Sequence, residues 1–305
     1  MTLQEVYHPG DLSGGGRVFR DLSPPARLCI FGDPVAQSAS PVMQNAALRA
    51  RGLELQYVRI LVTEQELPSA LHDLSPAGFL GASLTMPHKQ AALSLMDKVS
   101  REAQIMGAIN TVVIREGKLH GHNTDGPGFS AAVGEEFGVP LRSLRVLVLG
   151  GGGGAGRAIT VQCILEGCPR VVVANRTPEK AALLAGTIAR ELPASRTLES
   201  VPLDEEFLPR ISSGIDLIVN ATPLGMKQDD PSPLPKAFLS KDHLVYDTVY
   251  TGGETALLRQ ARRISARYAE GFSMLLHQGI LQNALWFGDP VPIEAMRDAL
   301  SALRR

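Results

Sequence analysis

The chain has 305 residues, more than the about 100 to 200 that a single hydrophobic core usually organises, so two domains are expected. Hydrophobic residues make up 44% and charged residues 20%, which excludes the polar composition of disordered chains. The 30 basic residues balance 31 acidic ones, so the chain lacks the excess of positive charge that nucleic-acid binding requires.

Cysteine usage and the N-terminal sequence bear on the compartment. Cys29, Cys163 and Cys168 are too few and too unevenly spaced for a disulfide framework, and no CxxC pair accompanies them to suggest zinc. The first residues show neither a cationic start nor an apolar stretch, and no apolar run reaches the about 18 residues that a bilayer crossing needs. We expect a cytoplasmic protein that does not bind membranes.

The first half of the chain predicts strands that alternate with helices. Residues 1–26, with glycines at 14, 15 and 16, favour an irregular N-terminal extension. The following pattern predicts strands at 28–31, 57–62 and 81–85, helices at 41–52, 64–74 and 88–99, and a hairpin joining 111–114 to 118–121. This alternation indicates a mainly parallel sheet, in a domain spanning residues 27–126.

The second half predicts another series of strands and helices. A helix follows Asp125, and strands are expected at 145–149, 171–174, 217–219 and 244–247, with the prolines of 231–235 in a loop. We therefore predict an α/β protein of two domains, in which a Rossmann dinucleotide-binding domain occupies residues 127–273. The last helices, in residues 274–305, are expected to complete the first domain.

A glycine-rich segment predicts a dinucleotide site. Residues 150–154 are five consecutive glycines, and Gly151, Gly153 and Gly156 satisfy the GxGxxG fingerprint between a predicted strand and a predicted helix. Such glycines permit a tight turn and let the backbone approach a pyrophosphate. Amides at the helix start, including those of Gly154 and Ala155, then donate to the phosphates.

The end of the next strand indicates which dinucleotide binds. NAD enzymes usually carry an acidic residue there for the ribose hydroxyls, whereas this chain has Asn175, Arg176 and Thr177. A guanidinium stacks on adenine and binds a 2′-phosphate, and a hydroxyl donates to the same group. We expect NADP as the cofactor, although Thr177 is also suited to capping the helix that begins at Pro178.

Polar residues at the ends of the first domain's strands suggest an acid–base pair. Lys89 follows a strand-to-helix junction, and Asp125 lies where the chain leaves that domain. A lysine that is partly desolvated beside a carboxylate can pass a proton while a hydride moves. Considered singly, a lysine is more often a surface charge and an aspartate more often a helix cap.

The neighbouring motifs resemble those of the shikimate dehydrogenase family. The resemblance runs from about Arg27 to Trp286 and rests on ordered segments at 32–41, 81–89, 107–111, 123–126, 151–157, 175–177, 220–226, 246–250 and 271–279. It implies an NADP-dependent oxidoreductase that interconverts shikimate and 3-dehydroshikimate. That reaction belongs to the route through chorismate to the aromatic amino acids.

The resemblance also implies roles for individual residues. Lys89 and Asp125 would act at the reacting oxygen, and Ser38 and Ser40 would hold the ring carboxylate. The side chains that would surround the ring and its hydroxyls are Thr85, Asn110, Tyr250 and Gln278, and those that would add to the cofactor site are Thr222 and Met274. Simpler roles stay open, since these residue types also cap helices, pin turns or fill cores; Ser40 before Pro41, for example, fits a helix cap.

Three positions depart from the family's pattern. Ser83 stands where asparagine is usual, Gln37 where histidine is common, and Thr251-Gly252 where Asn-Pro is usual. Serine is shorter than asparagine and lacks its amide, so the ring acid stays open between shikimate, quinate and a related compound. The departures keep a quinate/shikimate dehydrogenase of broader substrate or cofactor range among the alternatives.

Two further alternatives belong to other classes. One is a catalytically silent nucleotide-binding paralogue, and the other is an enzyme like methylenetetrahydrofolate dehydrogenase, in which the paired serines would have no carboxylate to hold. His88, His120 and His122 lack the carboxylate or cysteine cluster that would complete a metal site, so no metal is expected. The partner is a small-molecule substrate, and both a monomer and a homodimer fit the sequence.

Overall fold

The computed structural model describes residues 5–191, 198–203, 211, 214–250 and 253–304. The chain divides into two compact units, unit 1 with Met1–Thr124 and Gln278–Arg305, and unit 2 with Asp125–His277. Each unit contains its own sheet together with helices, which confirms the predicted α/β class. Among the described helices, none combines the length and the apolar composition needed to cross a membrane.

The described strands of unit 1 form one mainly parallel sheet in the order β1-β3-β2-β4-β6-β7-β5. Only β6 runs antiparallel to its neighbours β4 and β7 among these strands. The bounds are β1 Val6–Tyr7, β2 Ala26–Gly32, β3 Gln56–Leu61, β4 Gly81–Leu84, β5 Lys98–Val99, β6 Thr111–Arg115 and β7 Lys118–His122. The helices that accompany them are α1 Ser13–Arg20, α2 Ser40–Ala50, α3 Leu67–Leu74, α4 His88–Ala91 and α5 Arg101–Met106.

The N-terminal segment contains regular elements on either side of the irregular glycine stretch that its sequence indicated. Strand β1 extends the sheet, with Val6 opposite Arg59 of β3, and Phe19 of α1 is fully buried. Gly16 has a φ of 63°, and a Cβ there would lie 2.5 Å from the Cβ of Ala77. Gly14, Gly15 and Gly16 all have positive φ and interrupt α1, and the missing side chain of Gly16 lets this segment pack closely on the rest of unit 1.

The prediction of one helix over residues 88–99 is wrong beyond the first turns. Helix α4 is followed by a 3-10 turn at Ala92–Leu95 and then by strand β5. Asp97 accepts the Leu119 N–H at 2.7 Å with its carboxylate, and its own N–H donates to the Leu119 carbonyl at 2.9 Å. Pairing with β7 thus overrides the local helical preference of this segment.

Unit 2 is a parallel sheet in the order β10-β9-β8-β11-β12-β13 among its described strands. The bounds are β8 Arg145–Leu149, β9 Arg170–Asn175, β10 Leu198–Pro202, β11 Leu217–Asn220, β12 Leu244–Asp247 and β13 Arg267–Glu270. The helices are α6 Asp125–Phe137, α7 Gly154–Leu165, α8 Pro178–Glu191 and α9 Ala256–Arg263. The strand order reverses between β8 and β11, the kind of switch point where open α/β sheets bind ligands.

Two helices close the chain. Helix α10, Phe272–Phe287, begins in unit 2, and its residues from Gln278 onward belong to unit 1 together with α11, Ile293–Ser301. Within unit 1, the Trp286 indole donates to the Val112 carbonyl at 3.0 Å, and a Cβ on Gly81 would lie 2.3 Å from the indole nitrogen. The absence of a side chain at Gly81 therefore lets α10 pack against the centre of this sheet.

Candidate active site

The serine segment of unit 1 connects β2 to α2. Ser40 is the first residue of α2 and is 5% exposed, while Ala39 occupies the cap position without a capping side chain, so Ser40 does not cap the helix. The Ser40 N–H donates to the Ser38 hydroxyl at 3.3 Å. A helix start with two adjacent hydroxyls is suited to a carboxylate, because its amides and dipole favour negative charge.

Arg59 contacts the serine segment. Nothing in the sequence indicated that this residue belongs to the site. Its guanidinium on β3 donates to the Ser38 carbonyl at 2.5 Å, and the residue is only 7% exposed. A buried cation beside the serines adds positive potential to a place already suited to an anion. Its position within the sequence stretch predicted as a strand gave no signal of this role.

The lysine motif follows β4. The Thr85 N–H donates to the Phe31 carbonyl at 2.9 Å, and Lys89 lies half-buried in the first turn of α4. His88 is fully buried and its Nε2 donates to the Val62 carbonyl at 2.8 Å, while burial lowers its pKa and keeps the ring neutral. The Ile109 N–H donates to the Lys89 carbonyl at 2.7 Å, so the main chains at Lys89 and before Asn110 are joined.

Asn110 is the centre of a buried polar cluster in unit 1. Its Oδ1 accepts from the Thr124 N–H and the Thr111 hydroxyl, both at 2.8 Å. Its Nδ2 donates to the Thr124 hydroxyl at 2.9 Å and to Gln278 Oε1 at 3.5 Å. The structure therefore brings two predicted ring-binding residues, Asn110 and Gln278, together from positions far apart in the sequence.

Two residues that sequence reasoning did not assign complete this cluster. Ser83, noted only as a departure from the family, donates its hydroxyl to Gln282 Oε1 at 3.0 Å. Gln282 Nε2 in turn donates to the Asn110 carbonyl at 3.5 Å. A signal was present, since Gln278 and Gln282 lie four residues apart in a helix and so share one face.

Asp125 is the first residue of unit 2 and of α6, and it is 4% exposed. A carboxylate at a helix start interacts favourably with the helix dipole. Asp125 directly follows Thr124, which bonds Asn110. Asp125 is therefore the next residue along the chain after the polar cluster.

The glycine segment of unit 2 forms a tight turn between β8 and α7. Gly150 has a φ of 82°, and its N–H donates to the Ala174 carbonyl of β9 at 2.8 Å. A Cβ on Gly151 would lie 2.3 Å from Val173, and one on Gly156 would lie 2.5 Å from the Gly150 carbonyl oxygen. These three positions require glycine for close packing.

Other residues of the turn face more open space. A Cβ on Gly153 would meet nothing nearer than 3.7 Å, and α7 begins with Gly154 and Ala155. The first N–H groups of a helix have no carbonyl partner within it, so these amides are suited to phosphate oxygens. The tight packing and the helix start fit a dinucleotide pyrophosphate.

The predicted phosphate-recognition residues lie beside this turn. Asn175 ends β9, and Leu149 of β8 stands opposite Ala174, so both strands end at the same edge of the sheet. Arg176 and Thr177 follow immediately and are exposed. An exposed guanidinium at this edge is accessible to an anionic ligand.

A second buried network holds Thr222 at the same edge. The Thr222 N–H and hydroxyl donate to Asn220 Oδ1 at 3.0 and 2.7 Å, and a Cβ on Gly150 would lie 2.8 Å from the Thr222 methyl. Asn220 Nδ2 donates to Asp247 Oδ1 at 2.9 Å, and the Thr255 hydroxyl donates to Asp247 Oδ2 at 2.7 Å. Asp247 is fully buried, and burial raises its pKa to about 6.

The remaining predicted residues lie in the body of unit 2. Met274 is 7% exposed, belongs to the apolar core and donates its N–H to the Tyr246 hydroxyl at 2.9 Å. Tyr250 is half-buried, with its ring centre 5.5 Å from that of Phe272. Positions 251 and 252, where the sequence departs from the family, lie outside the described residues. In the described part of the chain, no group of His, Cys, Asp and Glu is placed to hold a metal.

Comparison with known proteins shows extended similarity. The family model of the shikimate dehydrogenase substrate-binding domain matches residues 30–112, and that of the shikimate 5′-dehydrogenase C-terminal domain matches residues 271–300. The shikimate dehydrogenase (NADP(+)) of Symbiobacterium thermophilum is 40% identical over 277 residues, which cover 90% of this chain and 93% of the relative.

Two solved structures show the similarity in three dimensions. Shikimate 5-dehydrogenase from Thermus thermophilus, in complex with NADP(H) and shikimate, is 39% identical with a TM-score of 0.79, over 91% of this chain and 99% of that one. Quinate dehydrogenase from Corynebacterium glutamicum, in complex with NAD, is 32% identical with a TM-score of 0.82, over 90% of this chain and 98% of that one.

Proposed function

Because the chain belongs to the shikimate dehydrogenase family, we propose that it is an NADP-dependent shikimate dehydrogenase, which reversibly reduces 3-dehydroshikimate to shikimate. The observation that carries the proposal is 40% identity, over 90% of the chain, to a relative named shikimate dehydrogenase (NADP(+)). The buried polar cluster around Asn110 supports it, since hydroxyl and amide groups suit a polyhydroxylated ring acid.

We assign the cofactor site to unit 2. The amides of Gly154 and Ala155 hold the pyrophosphate, and Arg176 with Thr177 binds the 2′-phosphate. Gly153 donates its N–H to the Gly150 carbonyl at 3.2 Å and so shapes the turn that brings these amides to the phosphates. When bound, NADPH supplies the hydride that reduces the ketone carbon. Support comes from the close packing of Gly151 and Gly156, which leaves the turn compact enough for backbone to approach phosphate.

We assign recognition of the ring acid mainly to unit 1. Ser38 and Ser40 donate to the carboxylate, with the start of α2 and the buried Arg59 adding positive potential. The ring hydroxyls bond to Thr85, Asn110, Gln278 and Tyr250. Each of these residues offers a hydroxyl or amide at the acceptor or donor positions that such a ring presents.

Lys89 and Asp125 form the acid–base pair of this proposal. In reduction, the Lys89 ammonium donates a proton to the substrate oxygen as the carbonyl carbon accepts the hydride, and in oxidation the neutral amine takes that proton back. Asp125 accepts a hydrogen bond from the reacting hydroxyl. The half-buried state of Lys89 and the burial of Asp125 agree with partly desolvated groups.

A quinate/shikimate dehydrogenase of broader range is the second candidate. Ser83 departs from the family's usual asparagine, and the quinate dehydrogenase of Corynebacterium glutamicum matches 90% of the chain. Both candidates predict a small-molecule partner and a cytoplasmic site of action, where NADP and the ring acids are available. A monomer and a homodimer are equally compatible with the proposal.

A substrate panel tests these assignments. The purified chain is assayed by nicotinamide absorbance with shikimate and quinate, each in the presence of NADP and of NAD. The proposal expects the highest kcat/KM for shikimate with NADP. Higher efficiency with quinate would favour the second candidate, and no turnover with any pair would identify a silent paralogue and overturn both.

A further inference from the structure

Gln282 connects two elements of the proposed ring site. It lies on α10 one turn beyond Gln278 and is 1% exposed. Its Oε1 accepts the Ser83 hydroxyl of β4 at 3.0 Å, and its Nε2 donates to the Asn110 carbonyl at 3.5 Å. The same carbonyl accepts the Leu84 N–H at 2.8 Å. The Gln282 amide therefore contacts both β4 and the residue that precedes β6.

We propose that Ser83 and Gln282 act as one specificity unit that positions Asn110 for the ring acid. The inference rests on the proposed function and deepens it, because it names residues that determine how that site accepts its substrate. Gln282 is a positioning residue here, since it acts through Asn110. We call Ser83 and Gln282 the Ser83–Gln282 pair.

The geometry explains why a short side chain stands at position 83. Ser83 is 3% exposed and its hydroxyl oxygen lies 3.0 Å from Gln282 Oε1, so little space separates them. An asparagine at this position would place its own amide where the Gln282 amide lies. The helix therefore supplies, through Gln282, a buried amide that a longer side chain on β4 would otherwise supply.

The pair also affects the polarity of the site. A serine hydroxyl has one proton to donate, and that of Ser83 is used in the bond to Gln282. The Ser83 hydroxyl therefore has no proton left to donate to a ligand and can only accept a hydrogen bond from it. The pair thus favours a ring position that donates a proton, such as a hydroxyl, over one that only accepts.

Asn110 is held from two directions by α10. Gln278 accepts from its side-chain amide, and Gln282 donates to its carbonyl. Both bonds are 3.5 Å long, beyond the roughly 2.7–3.2 Å of a well-formed N–H···O bond, so each is weak and permits small displacements of Asn110. Removing Gln282 leaves the Asn110 main chain with less support, and the amide plane that faces the ring turns with it.

The same helix offers a matched control at the next residue. Asn283 is fully buried, and its Nδ2 donates to Gln44 Oε1 on α2 at 3.1 Å, while its Oδ1 accepts from Arg51 at 2.9 Å. Asn283 makes neither of the contacts that Gln282 makes with Ser83 and Asn110. Leucine at either position removes one buried amide, so a purely structural effect would be similar in both.

The experiment compares Ser83→Ala, Gln282→Leu, their double variant and Asn283→Leu. For each, melting temperature is measured, together with kcat and the KM values for shikimate and for NADP. Gln282→Leu is expected to raise the KM for shikimate about tenfold, the equivalent of about 1.4 kcal/mol, while the KM for NADP is unchanged. Ser83→Ala is expected to raise it about threefold, and the double variant no more than Gln282→Leu alone, because the two residues act together.

A swap of the two side chains, Ser83→Asn combined with Gln282→Ala, tests whether the site has room for only one buried amide. Ser83→Asn alone is expected to raise the KM for shikimate, and Gln282→Ala in the same chain is expected to restore it to within about threefold of wild type. This variant keeps one buried amide in the site, so it remains informative if Gln282→Leu does not fold.

The outcomes separate this inference from the proposed function. An unchanged KM for shikimate in Ser83→Ala and in Ser83→Asn, a raised KM in Ser83→Asn that Gln282→Ala does not restore, or an equal rise in Asn283→Leu overturns the inference, while wild-type turnover leaves the proposed function in place. Absence of wild-type turnover with shikimate overturns the proposed function and this inference with it.

Discussion

Replacing Asp247 with asparagine is expected to change how stability depends on pH. Asp247 is fully buried in unit 2, and burial raises its pKa from 3.8 to about 6. Its carboxylate accepts from the Asn220 amide, the Val249 N–H and the Thr255 hydroxyl. These bonds favour ionisation, but the loss of hydration outweighs them.

The magnitude follows from linkage. The folded state binds the proton more tightly than the unfolded state, so this group's contribution to stability is fully present below pH 3.8 and is lost as pH rises through about 6. A shift of roughly 2 units corresponds to about 3 kcal/mol over the whole range. About 2 kcal/mol of this change falls between about pH 4.5 and 7.

Asparagine mimics the protonated acid in this network. Its oxygen can accept from Asn220 and Val249, and its amide can donate to the Thr255 hydroxyl, which reverses its direction as it would toward a protonated carboxyl. The variant therefore keeps the contacts and loses the titration. Relative to wild type, its free energy of unfolding should rise by about 2 kcal/mol from about pH 4.5 to 7.

The assay must report on unit 2. The single tryptophan, Trp286, lies in unit 1, so its fluorescence would follow the wrong unit. Hydrogen exchange of the amides of β8, β11 and β12, measured by mass spectrometry at several pH values and corrected for intrinsic exchange, gives the opening free energy of unit 2. A difference between Asp247→Asn and wild type that does not vary with pH would refute the reasoning.

Four further results are expected. Lys89→Ala should lower kcat by about a hundredfold to ten-thousandfold with a smaller effect on the KM for shikimate, and near-normal turnover would exclude it as the acid–base group. Wild type should prefer NADP over NAD about tenfold to a hundredfold, and Arg176→Asp should abolish the preference in paired kcat/KM measurements. Gly156→Ala should lower the stability of unit 2 by about 1 to 3 kcal/mol, whereas Gly153→Ala should not, as judged by the same exchange assay. Arg59→Met should raise the KM for shikimate about tenfold and leave that for NADP unchanged, and equal changes in both would contradict its placement behind the serines.

The sequence predicted the elements whose patterns are local. The bounds predicted for β8 and β12, 145–149 and 244–247, match the structure, since each is a buried apolar run between turns. The hairpin of β6 and β7 was also correct, because its turn includes Glu116 and Gly117 with positive φ. Each signal lies within a few residues of the element that it specifies.

Elements defined by their partners were not predicted. Strands β1 and β5 contain two residues each, and β13 has the mixed sequence Arg-Tyr-Ala-Glu, which shows no apolar alternation. Each lies at an edge of its sheet, where pairing with a single neighbour determines the backbone. The information for these strands resides in the neighbour and not in the segment itself.

The candidate site divides in the same way. Glycines and charged residues in compact motifs were proposed from the sequence, whereas the contact of Gln282 with Ser83 spans 199 positions and Asp247 is linked to Thr222 through Asn220. Arg59 could not be assigned from the sequence because it is a single charged residue within a predicted strand and belongs to no motif. Such residues act through a bond to a second residue, and only the fold shows which residue that is.

The two ends of the unit 2 sheet differ in how they are stabilised, and we expect the end with the buried carboxylate to be the functional one. Where the strands begin, the ion pairs Arg145–Asp216 and Arg170–Glu199 are partly exposed. Exposed pairs of this kind cost little to form and contribute at most about 1 kcal/mol. Where the strands end, Asp247 is buried at a cost in free energy and holds Asn220, and through it Thr222, beside the glycine turn. Because burying a carboxylate costs free energy that an exposed ion pair does not, we expect Asp247 to orient the glycine turn, at the edge where open parallel sheets bind their ligands.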